Sequence, residues 1–206
     1  MRVFFRGTNV LEGKQDAGAY VADAAMERYA DGDDAAFGEV YDALAPRLLR
    51  FLHRHTRHVG QAEDLLQETF LNICSARASF FRGAKVTPWA FTIARRLVID
   101  ASRKSQRQVK LALEEDLDAS PPPSREPGGD QVAQARELAQ RVETELARMP
   151  ETQRDAFMLV RVDGLSLAEA AEVLEITPNA VKLRAFRAYD ALRASMGDVL
   201  DQEWPP

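Results

Sequence analysis

Six cations and one acid stand between residues 88 and 110: Arg95, Arg96, Arg103, Lys104, Arg107 and Lys110 against Asp100 alone. A second run, 177–193, holds Lys182, Arg184, Arg187 and Arg193 against Asp190 alone. Clustered guanidinium and ammonium groups bind phosphate, release its counterions and hold a polyanion in register. Net charge over the chain is −5, so attraction for nucleic acid has to come from these local stripes and not from the average. The acids gather elsewhere, notably in LEEDLD at 113–118. Ahead of the first stripe, SFFRGAKVT adds Phe80, Phe81, Arg82 and Lys85. Rings beside cations suit unpaired nucleic acid, where bases stack on aromatics while phosphates meet charge. Ring by ring, Phe80, Phe81 and Trp89 equally fit an aromatic core, Trp89 most of all.

On a helical projection, the second stripe places Asn179, Lys182, Leu183, Phe186 and Arg187 on one face, with Arg184 at its flank. Asparagine and lysine can hydrogen-bond base edges, and the arginines can clamp phosphates. A third surface has a different character. In QAEDLLQETF, 61–70, Ala62, Leu66, Phe70 and Ile73 share one side of a helix. Asp64, Gln67 and Glu68 lie opposite, and Leu71 falls among them. An apolar residue ringed by carboxylates and an amide is a hot-spot arrangement for a protein partner.

Other chemistries find little support. His53, His55 and His58 offer one workable ligand pair with no acid or thiol close behind, so no metal site is expected. There is no Ser/His/Asp set, glycine-rich phosphate loop or supported carboxylate pair, so neither an enzyme nor a cofactor is expected. Cys74 is the only cysteine, which excludes an intrachain disulfide. No run approaches the roughly 20 apolar residues of a membrane span, and MRVFFRGTNV is charged too early for a secretory signal. These readings favour a cytoplasmic protein without membrane insertion.

The elements that must position these surfaces are helical. With 206 residues, 46% of them apolar, the chain can bury a real core. Residues 1–19 lack a period and are expected to be a tail; 20–107 is helical in pattern throughout. The segment 108–132, containing ASPPPSREPGGD, is an acidic, proline-rich linker, and 133–200 turns helical again with Leu138, Val142, Leu146 and Met149 as one stripe. The expected fold is all-α: two helical domains joined by a flexible linker. Within 20–107, Phe91, Ala94, Val98 and Ala101 form the buried seam of the first basic helix. Arg50, Arg54 and Arg57 share a side expected to face solvent. Thr87-Pro88 and Thr177-Pro178 look like helix starts, with a capping hydroxyl before proline at the first position. Ser166 with Glu169 fits a capping box, and Gly164 fits a left-handed helix end. A short helix over 167–174, about three turn residues and a basic helix from Pro178 make a helix-turn-helix, whose second helix enters the major groove. Val181, Ala185, Ala188 and Leu192 form its packing seam, facing Ala170, Ala171 and Leu174. Glu175 occupies a turn position where glycine is common, at a cost of about 1 kcal/mol if left-handed.

AEDLLQETFLNI, PWAFTIARRLVID, LARMPETQRDAFML and DGLSLAEAAEVLEITPNAVKLRAFRAYDALR together resemble the second and fourth conserved regions of bacterial RNA polymerase sigma factors. More narrowly, the chain resembles the extracytoplasmic-function (ECF) group, which keeps only those two domains. The resemblance covers roughly residues 25–195. It implies an alternative sigma factor, a non-enzymatic promoter-specificity subunit that is monomeric when free. Asp64, Gln67, Glu68 and Leu71 would then meet the clamp helices of the core polymerase β′ subunit. Phe80, Phe81, Arg82, Lys85, Arg96, Arg103, Lys104 and Arg107 would hold the melted −10 element. Asn179, Lys182, Leu183, Arg184, Phe186 and Arg187 would read the −35 element as duplex. An anti-sigma partner is implied as well. Arg96, Glu175, Ala180 and Leu183 depart from residues common in the group, so no promoter sequence transfers. Elements about 25 base pairs apart lie roughly 85 Å from one another along duplex, which some 25 linker residues can reach. Two rivals are a stand-alone helix-turn-helix regulator, which has no need of the 61–73 face, and a sigma-like decoy for a regulatory protein, which has no need of two basic helices.

Overall fold

The structure is a computed structural model that describes residues 12–112 and 141–196, with side-chain surroundings over 21–104 and 141–195. Among the described residues eight α-helices follow in chain order: α1 (Glu12–Ala30), α2 (Ala36–Thr56), α3 (Val59–Ala76), α4 (Val86–Ala112), α5 (helical over 141–148), α6 (Glu151–Arg161), α7 (Leu167–Leu174) and α8 (Pro178–Met196). Among the described residues there is no strand, in keeping with the all-α expectation.

Apolar spacing of three and four builds the first unit. Ala22, Ala25, Met26 and Tyr29 of α1, Val40, Leu44, Leu48, Phe51 and Leu52 of α2, Ala62, Leu66, Phe70 and Ile73 of α3, and Phe91 and Ala94 of α4 close one core. Rings interlock inside it, with Phe51 and Phe91 at 5.3 Å and Phe37 edge-on to Phe70 at 6.0 Å. Arg57, left-handed at φ 55°, ends α2, and the extended His58 starts α3 with its ring Nδ1 accepting the Gln61 N–H.

In the second unit the punctuation matches the sequence. Gly164 is left-handed at φ 69°, and Ser166 and Glu169 make the reciprocal capping box. Glu175 ends α7 in the left-handed region at φ 56°, and the Thr177 hydroxyl accepts the Ala180 N–H at the start of α8. Val181, Ala188 and Leu192 are buried as expected, the last two beside Leu146 and Phe157.

Some expectations change. Helix α1 begins at Glu12, inside the stretch 1–19 expected to be tail; residues 12–20 contribute little apolar period, so the helix is invisible to a search for amphipathic faces. Helix α4 runs to Ala112, past residue 107, so 108–112 continue the helix while 113–132 of the expected linker lie outside the described residues. It also starts at Val86, ahead of Thr87-Pro88. The cap comes from another helix, because Val86 N–H donates to the Asp23 carboxylate at 2.8 Å and Thr87 is buried.

The two units touch. Helix α7 packs on α4, and one apolar cluster runs from Phe91 and Ala94 through Leu165, Ala170, Val173 and Leu174.

Candidate functional site

Helix α3 presents the mixed surface that its sequence foretells. Asp64, Gln67 and Glu68 are exposed, while Ala62, Leu65, Leu66 and Phe70 hold the helix to the core. Leu71 stands 64% exposed beside them. It borders a groove between α2 and α3 whose wall includes Phe37, Tyr41, Leu66, Phe70 and Cys74. Tyr41 is exposed and lies 4.6 Å from Phe70 ring to ring. The sequence argument missed Tyr41, although its signal was present. It sits one residue off the Val40–Leu44–Leu48 seam, an aromatic on the outer side of α2.

The second surface is the loop before α4 and the outer side of α4. Phe81 projects into solvent at 79% exposure. Phe80 does not: it is only 9% exposed and packs on Trp89 at 5.2 Å. The short 3-10 turn Arg77–Ser79 rotates the chain so that the first ring turns inward and the second outward. Phe80 is therefore a core ring here, a correction to its expected place among base-stacking residues. Lys104 is exposed, Arg103 is 3.8 Å from Asp100 on its own helix, and the side chain of Arg107 lies outside the described residues.

Three acids on one side of α1 fasten this loop, and sequence reasoning missed all three. Asp31, at the end of α1, pairs with Arg82; Glu27 accepts the Gly83 N–H at 2.7 Å; Asp23 caps Val86. Gly83 is left-handed at φ 81°, a conformation that leaves its N–H aimed at Glu27 without a Cβ penalty. Burial pushes the Asp23 carboxyl above its ordinary value, against the opposing effects of the Val86 N–H and Lys85. The spacing of 23, 27 and 31, one helical turn each, was the available signal.

The third surface is α8. Asn179, Lys182, Leu183, Phe186 and Arg187 are exposed on one face, and Arg184 is half-buried at its flank. This is the arrangement expected of a helix offered to a groove by its first turns.

The second and third surfaces are tied together by charge. Lys85 Nζ lies 3.8 Å from Glu169 and Arg96 3.2 Å from Glu175, so two α4-side cations face acids of the helix-turn-helix. Asp163, between α6 and α7, is 3% exposed, and its carboxylate pairs with Arg54. Arg47 donates to the Asp163 carbonyl at 2.7 Å and lies over the Phe91 ring at 5.7 Å. His55 Nε2 is 3.4 Å from Asp155. Arg54 was expected on a solvated side with Arg50 and Arg57; it turns inward because the second unit brings it a carboxylate. Burial raises the Asp163 carboxyl, with Arg54, Arg47 and Arg50 pulling the other way, and burial lowers Arg47. Among the described residues no group of three or more His, Cys, Asp or Glu could hold a metal ion, and no helix is long and apolar enough to cross a membrane.

Residues 40–108 match the family described as Sigma-70 region 2, and residues 139–192 the family described as Sigma-70, region 4. The chain is 34% identical to the RNA polymerase sigma factor CarQ of Myxococcus xanthus, over 84% of this chain and 97% of that protein. It is also 34% identical to the ECF RNA polymerase sigma factor SigF of Caulobacter vibrioides, over 84% of this chain and 92% of the relative. The chain belongs to the ECF RNA polymerase sigma factors. The fold of this sigma factor is similar to that of CnrH in its complex with the cytosolic domain of CnrY, with a TM-score of 0.63, 22% identity, and coverage of 84% of this chain and 96% of the other. Helix α3 and α4 up to residue 108 fall in the region 2 match, and α7 and α8 up to residue 192 in the region 4 match. Helix α1, which anchors the loop of the sigma factor's second surface, lies ahead of both.

Proposed function

We propose that this ECF sigma factor acts as a dissociable specificity subunit: it docks on core RNA polymerase through α3 and directs initiation at promoters carrying −10 and −35 elements. Asp64, Gln67 and Glu68 make the polar contacts to the β′ clamp helices, and Leu71 fills an apolar site among them. Phe81, Arg82, Lys85, Arg96, Arg103, Lys104 and Arg107 engage the unpaired −10 strand, Phe81 by stacking and the cations by charge. Asn179 and Lys182 meet base edges of the −35 duplex, Leu183 and Phe186 supply apolar contact, and Arg184 and Arg187 bind its phosphates. The reading includes an anti-sigma protein as antagonist, a cytoplasmic location beside the polymerase, and a monomeric free state.

The observation that carries this reading is Leu71. In a chain that buries the seams of its helices, a leucine left 64% exposed at the rim of an aromatic groove and flanked by an amide and two carboxylates is a surface built for a partner. A stand-alone DNA-binding regulator has no use for it. Run-off transcription with purified core polymerase tests the proposal. The mixture should initiate at defined start points that polymerase alone does not use, and an unchanged transcript pattern would reject it.

A further inference from the structure

A carboxylate beside a surface that binds nucleic acid repels it, so the acids under the loop 80–86 must do something that offsets the repulsion. At one end of the loop Phe80 is packed on Trp89, and at the other Val86 is buried. Between them the Ala84 N–H donates to the Phe81 carbonyl at 3.0 Å and closes a turn with Gly83 as its third residue. Gly83 stands at φ 81°, matching the value of about +80° that a type II turn requires there. A Cβ on Gly83 would meet nothing within 4 Å, so glycine serves the path of the backbone and not a crowded neighbour. Phe81 projects from this turn at 79% exposure. Packing of its own ring does little to hold it, and its direction is inherited from the backbone on either side.

That backbone and its flanks are tied to one segment, 23–34. The Gly83 N–H donates to Glu27 at 2.7 Å and the Val86 N–H to Asp23 at 2.8 Å. Arg82 pairs with Asp31, while Arg77, in the turn before the loop, pairs with Asp34 and lies over the Tyr29 ring at 5.0 Å. These ties are unequal. The Arg82 and Arg77 pairs are largely open to water and contribute little. The two backbone N–H groups instead meet half-buried carboxylates, and charge-assisted bonds of that kind are about twice as strong as neutral ones. Both carboxylates stand on α1, ahead of residue 40, where the region 2 match begins.

We propose that Glu27 and Asp23 are positioning residues for capture of the −10 strand: they fix the turn at Gly83 so that Phe81 stands ready to stack on an unpaired base. This role rests on the reading of Phe81 as a stacking ring. A ring on a fixed turn loses less freedom on binding than one on a loose loop, which offsets the repulsion between the acids and the strand. The sign of the effect separates positioning from bare electrostatics. If charge were all that mattered, removing an acid beside a polyanion would strengthen binding; loss of positioning weakens it.

The test uses holoenzyme assembled from core polymerase and each full-length variant, with fork-junction DNA whose single-stranded end is randomised, so that no promoter has to be known. Binding is measured at fixed salt, and the retained DNA is sequenced. Phe81→Ala should bind about tenfold more weakly, the loss of one stacked base. Glu27→Ala should bind about threefold more weakly if the loop then keeps the described turn a third of the time, and its base preferences should flatten. Glu27→Gln loses the charge but keeps an acceptor for the Gly83 N–H, so it should bind at least as tightly as the parent. If Glu27→Ala binds as tightly as the parent, or more tightly, while Phe81→Ala is weak, the positioning role is overturned. A Phe81→Ala holoenzyme that binds like the parent strikes the stacking reading instead. Hydrogen exchange over 81–86 then decides the hold: faster exchange in Glu27→Ala upholds it, and equal exchange overturns it. If Glu27→Ala loses helical circular dichroism, Gly83→Val against Gly83→Asn decides in the same assays. Open space around Gly83 leaves only the backbone to respond, and asparagine accepts a positive φ that valine resists, so valine alone should weaken binding.

Discussion

Truncating Leu71 to alanine separates docking from folding. The side chain is 64% exposed, so its removal takes little from the core and should leave stability within about 0.5 kcal/mol of the parent. If polymerase covers what is now open, binding removes roughly two-thirds of a leucine side chain from water. Complete burial of leucine is worth about 1.5–3 kcal/mol, so the share at stake is about 1–2 kcal/mol. At 1.4 kcal/mol per decade, affinity for core polymerase should fall about fivefold to thirtyfold. Leu66, five residues earlier on the inner side of the same helix, supplies the contrast. It is buried, so Leu66→Ala should cost about 2–5 kcal/mol of fold stability. The assay is competition of each variant against fluorescently labelled parent for a fixed amount of core polymerase, with thermal unfolding measured in parallel. A Leu71→Ala protein with unaltered melting and unaltered competition would refute the argument, for an exposed leucine that costs nothing to remove is not an anchor.

Other surfaces give further expectations. Lys182→Ala should weaken holoenzyme binding to the upstream duplex by about 1–3 kcal/mol, and Arg187→Ala should lower the salt dependence of binding by about one unit of slope, both readable from titrations at several salt concentrations. Ser166→Ala removes the acceptor of the Glu169 N–H and should cost about 1 kcal/mol, seen as a lower melting temperature of the second unit.

What the amino-acid order revealed was local. Ser166 with Glu169, Gly164, Thr177 and the outward faces of α3 and α8 are set by neighbours within one or two turns, and the structure has them as expected. The misses share a cause of the opposite kind. Arg54 meets Asp163 across 109 residues of sequence, and Val86 is capped by Asp23 across 63. Such partners leave no periodic trace. Phe80 and Phe81 are adjacent and chemically identical, so composition could not say which would be buried; only the turn at Arg77–Ser79 decides it. Asp23, Glu27 and Asp31 escaped notice because a search for apolar seams treats the wet side of a helix as blank.

That wet side of α1 has a practical consequence for anyone moving parts between such proteins. A graft confined to residues 40–108 would carry the strand-holding loop and the basic helix but leave behind their three carboxylate moorings, along with Met26 and Tyr29 from beneath them. The transplanted piece would contain every residue assigned to the −10 strand, yet lack the acids that aim them. Portability begins near residue 20, and a hybrid designed from there should inherit both the grip and its orientation.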